Sequence, residues 1–70
     1  MSDIVECHSD YTYAERPTAL TWEGQRLEIA EILLQWRTPE GKGFRVRTIG
    51  EQVFELLYRE VANEWQIYLL

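Results

Sequence analysis

Cysteine is nearly missing from this chain of 70 residues: Cys7 stands alone, so no intrachain disulfide can form and a disulfide-stapled framework is excluded. Proline is confined to Pro17 and Pro39, and glycine to Gly24, Gly41, Gly43 and Gly50. The chain is therefore neither collagen-like nor a flexible low-complexity linker. No apolar run approaches the roughly 18 residues of a membrane span, and the opening Met1–Glu6 has neither a basic nor an apolar signal-like stretch. A cytoplasmic protein without membrane contact is the expectation. Basic side chains are scarce too, seven against twelve acidic, and the net charge of -5 disfavours non-specific attraction to polyanions over most of the surface.

Large side chains are what the chain has instead. It is 46% apolar, with three Trp, four Tyr and two Phe, enough to offset backbone entropy by packing. At this length it buries only about 60% of the surface of its unfolded form, which supports one core and one domain. The charges are segregated. Residues 1–35 carry seven acidic and two basic groups and residues 51–70 four and one, whereas residues 36–50 carry one acidic group against Arg37, Lys42, Arg45 and Arg47.

Alternation points to strands. Val5, Cys7, Ser9, Tyr11 and Tyr13 share one phase, so residues 1–13 are read as a loosely attached first strand. Thr18–Trp22 is β-branched and aromatic, with Leu20 and Trp22 on one face, and Glu23-Gly24 then suits a tight turn. From Arg26 to Trp36 the apolar set changes phase, from Leu27 and Ile29 to Ile32, Leu34 and Trp36. One extra residue near Ala30 or Glu31 is the expected cause, a bulge that bends the strand as a small barrel requires. Thr38–Gly43 reads as a loop, because Pro39 fixes its φ while two glycines permit positive φ. Phe44, Val46 and Thr48 alternate with Arg45 and Arg47, which puts both arginines opposite the core. Val53–Val61 fits an amphipathic helix as well as a strand. The fold expected is all-β, a five- or six-stranded antiparallel meander curled into an SH3-like open barrel, and the alternative is α+β with residues 51–62 helical.

The series Pro17-Thr18-Ala19-Leu20-Thr21-Trp22-Glu23-Gly24, followed by Leu33 to Arg37, Phe44–Thr48, Phe54–Leu56, Tyr58-Arg59 and Trp65, resembles a family of short uncharacterised bacterial β-domain proteins with a P-x-x-L-x-W-x-G pattern. The resemblance spans residues 17–70; Leu57 beside Leu56 and the Leu-Leu ending depart from it. It implies a small β meander with no established activity. It also implies a DNA-repair accessory role, through relatives that accompany repair-polymerase genes.

Lys42-Gly43-Phe44-Arg45-Val46 begins like the RNA-recognition submotif, but Val46 and Ile49 occupy the next aromatic positions and the chain is too short for that fold. Without a motif, Trp36, Arg37, Lys42, Phe44, Arg45 and Arg47 form a candidate basic-aromatic face for nucleic acid, phosphates on the cations and a base on Trp36. The alternative is an ordinary solvated face whose cations pair with glutamates across strands. Cys7 and His8, adjacent on a strand, point to opposite faces and cannot easily share a metal or act as nucleophile and base. No catalytic site, metal or cofactor is expected. An apolar last strand, Ile67–Leu70, would leave an edge open to a partner protein or a second copy unless residues 1–13 cover it. The functional expectation is a non-enzymatic binding or accessory module, for nucleic acid through residues 36–47 or for protein through that edge.

Overall fold

The computed structural model describes residues 5–9 and 15–70. Six strands lie side by side in chain order, each antiparallel to the next: β1 (Val5–Ser9), β2 (Glu15–Trp22), β3 (Gln25–Thr38), β4 (Gly41–Thr48), β5 (Val53–Arg59) and β6 (Glu64–Leu69). The fold is all-β, and the sheet curls into an open half-barrel. The Tyr11 and Tyr13 end of the expected first strand lies outside the described residues. The segment that also fitted a helix is β5 and its turn, because alternation wins: Phe54 and Leu56 are fully buried while Glu55 between them is not.

β3 makes the curl. Its first part, Gln25–Glu28, pairs with β2, and Ile29–Thr38 pairs with β4, the Glu28 C=O also accepting from the Ile49 N–H just past β4 at 2.9 Å. Two register shifts interrupt the second pairing, at Ala30 and at Leu33. The first is the expected corner bulge. The second corrects the expected phase: Ile32 faces the core beside Val46, but the extra Leu33 turns Leu34 and Trp36 to the outer face, opposite Arg45 and Gly43. Each added residue bends and twists the strand.

The concave side holds the core of Val5, Leu20, Phe44, Val46, Phe54 and Leu56, with Trp22, Leu27, Ile29, Ile32, Trp65 and Ile67 packed around it. Burying each such side chain stabilises by about 1.5–3 kcal/mol. Trp22 meets Phe54 edge-on with ring centres 5.4 Å apart, so β2 is clamped across the half-barrel onto β5. Thr48 is buried yet satisfied, its Oγ1 accepting from the Gln52 N–H at 3.2 Å.

The connections are tight. The tight turn expected at Glu23-Gly24 is present, and both residues have positive φ, 50° and 80°, as a mirror-image hairpin turn requires. The expected Thr38–Gly43 loop shrinks to Pro39-Glu40, because Gly41 and Gly43 belong to β4. Neither has positive φ. They are needed for closeness: a Cβ at Gly41 would run into the Tyr58 carbonyl and one at Gly43 into the Trp36 ring.

Candidate functional site

Cross-strand partners share a face, so the register decides which candidate residues stand together. Trp36 lies opposite Gly43, Arg37 opposite Lys42, and Gln35 opposite Phe44. Trp36, Arg45 and Arg47 therefore occupy the outer face, and Arg37, Lys42 and Phe44 the other side. The six residues do not make one surface. Phe44, 1% exposed, is a core residue rather than a stacking platform.

On the outer face the arginines meet carboxylates. Arg47 donates to Glu31 Oε1 at 2.7 Å, and Arg45 stands 3.8 Å from Glu55. Both arginine side chains stay partly exposed, at 37% and 40%, so these are solvated ion pairs of small individual worth. The Nε of Arg45 is buried without a hydrogen-bond partner. Leu34, 53% exposed, and Tyr68, 47% exposed, flank the Arg45–Glu55 pair, while Leu57 faces Gly43 beyond which Trp36 lies. This apolar fringe was hidden in the sequence by the second bulge. The consecutive Ile32-Leu33-Leu34, which no single alternation explains, is the signal that marks it.

On the opposite side the row Arg37, Lys42, Tyr58, Trp65 forms one lip of the half-barrel. The Lys42 ammonium lies 5.9 Å from the Phe44 ring centre and 5.8 Å from that of Tyr58. Tyr58 packs on Trp65 at 4.9 Å and donates to Asn63 Oδ1.

A cleft of about 410 Å³ opens where β2 and β3 part company at the corner, lined by Arg16, Pro17, Thr18 and Ile29–Ile32. The carboxylate in it, Glu31, is the one held by Arg47.

The sheet ends in two edges. At β1, Glu6 accepts from Arg26 Nε at 2.7 Å and from Nη2 at 3.1 Å. The hydrogen bonds from the Arg26 guanidinium hold the Glu6 carboxyl below the usual carboxylate range, with desolvation opposing them and the guanidinium's charge adding a lesser pull the same way. At β6, Tyr68, Leu69 and Leu70 are 47%, 49% and 59% exposed, and Glu64 is the only charged residue of the strand. The N–H of Leu70 donates to Val53 C=O at 3.0 Å. In an antiparallel ladder hydrogen-bonded pairs alternate, so Glu64, Gln66 and Tyr68 also bond toward β5. Trp65, Ile67 and Leu69 direct their N–H and C=O groups outward. The strand order puts β1 beside β2, so among the described residues no strand covers β6.

Comparison with protein families, with curated proteins and with solved structures finds no match, and the family resemblance rests on the residues quoted for it.

Proposed function

We propose that this protein is a non-enzymatic interaction module that takes an extended protein segment along the β6 edge. The observation that carries this reading is the row of outward N–H and C=O groups at Trp65, Ile67 and Leu69, on a strand without proline, lysine or bulge to blunt it. Main-chain hydrogen bonds would supply affinity, and Tyr68 and Leu69 would grip alternate side chains of the incoming strand. The acidic surface favours a neutral or basic segment. The test is a ¹⁵N-HSQC titration with a capped hexapeptide of alternating valine and lysine. Shifts and slowed amide exchange at Trp65, Ile67 and Leu69 are expected; an unchanged spectrum at millimolar peptide would sink the reading.

A second reading, weak nucleic-acid binding, keeps part of the 36–47 segment. It is favoured by one observation, the placement of Arg37 and Lys42 on the same lip as Tyr58 and Trp65. Phosphates would lie on the cations and a base on the aromatic pair. Mixed-sequence single-stranded oligonucleotide in the same titration would then shift Arg37, Lys42 and Trp65, and the shifts would fade with salt.

A further inference from the structure

The hydrogen-bonding phase of β6 says more than that the edge is open. This step rests on the edge reading above and names its occupant. We infer that β6 pairs with β6 of a second copy, antiparallel about a two-fold axis at Ile67, so that two half-barrels share one continuous sheet.

The register follows from which residues bond outward. Outward groups occur at Trp65, Ile67 and Leu69, so the pairing that uses all of them sets Ile67 against Ile67 of the partner and Trp65 against its Leu69, twice by symmetry. A shift of two residues either way loses a pair within the strand. Charge is compatible with self-pairing: Glu64 comes to lie opposite Leu70, and no two like charges face each other. Gln66 stands opposite Tyr68 on the outer face, where Tyr68 already donates to Gln66 Oε1 at 3.2 Å within one chain. On the inner face Leu69, half exposed in the single chain, covers the partner's Trp65. β1 lacks this self-compatibility, because Glu6 and Arg26 are locked together beside it.

Because each copy carries a net charge of -5, the pair repels at long range, and added salt should strengthen association. Oligonucleotide binding would respond in the opposite sense.

The experiment is sedimentation equilibrium from about 10 μM to 1 mM, on the parent chain and on Leu69→Pro. The Leu69 N–H points away from β5, so proline there removes no bond of the folded monomer, which circular dichroism verifies. The parent should move to twice the 8.4 kDa monomer mass, and Leu69→Pro, which removes two symmetry-related bonds, should dimerise at least about tenfold more weakly. A second measurement does not depend on that variant. In a Cys7→Ser background, Gln66→Cys and Tyr68→Cys chains should oxidise into mixed disulfides faster than either alone. Residues 66 and 68 are directly opposed across the axis, whereas 66 to 66 is diagonal at about 8 Å. A monomer throughout, a dimer indifferent to Leu69→Pro, or cross-linking without preference for the mixed pair would each overturn self-pairing. A monomer that still takes the alternating peptide leaves the edge reading standing with another occupant; a monomer that takes neither removes both.

Discussion

The two ends of the sheet are built differently. β1 is five residues long, its pairing with β2 slips at Thr18, and its Glu6 is tied to Arg26. β6 is six residues long, pairs with β5 in unbroken register, and shows aromatic and aliphatic side chains with one charge at its start. A slipped, charged edge is a poor template for another strand, and a regular apolar one is a good template. The same half of the molecule that holds the most regular ladders, β4 to β6, thus also presents the surface open to a partner. Regularity within the sheet and availability at its border have one cause, an uninterrupted period-two pattern.

Three perturbations would break or sharpen this contrast. Truncating Phe54→Ala, at the centre of the regular half and under Trp22, should cost about 3–5 kcal/mol in urea denaturation, and Val5→Ala in β1 clearly less. Equal losses would show that both ends are bound equally into the core. Gly43→Ala should cost about 1–3 kcal/mol by the same measurement, since the new methyl must push the Trp36 ring off the outer face. No loss would mean that this ring is not seated there. The smallest effect belongs to β1. The Glu6 carboxyl should titrate below its ordinary value by NMR and return to it in Arg26→Gln. Because the folded-state value is lowered, the stability it contributes is present above the unfolded-state value and fades as pH falls through the folded one.

Much of the architecture was legible from residue order. Leu20 and Trp22 do share a face, Glu23-Gly24 is a turn, and the phase change after Ile29 does mark a bulge at Ala30. Arg45 and Arg47 do point away from the core that Phe44 and Val46 enter. The candidate site was less legible. Trp36 was expected in phase with Ile32, and the bulge at Leu33 puts it on the other side, so a cluster contiguous in sequence divides between two faces. The helical alternative for residues 51–62 fails for a similar non-local reason: Val53–Arg59 has β4 on one side and β6 on the other, and both ladders reward extension.

Apolar alternation and turn residues are local properties, and they specified antiparallel strands with a corner after Ile29 while leaving residues 51–62 open between strand and helix. Registers are not local. Ile29–Thr38 must be laid against the eight residues of β4, and where the surplus is absorbed depends on what Val46 and Gly43 can accept opposite them. That fit settled which side Trp36 occupies, why Gly41 and Gly43 lack side chains, and which amides of β6 face outward, because each is a distance between strands that no single strand contains.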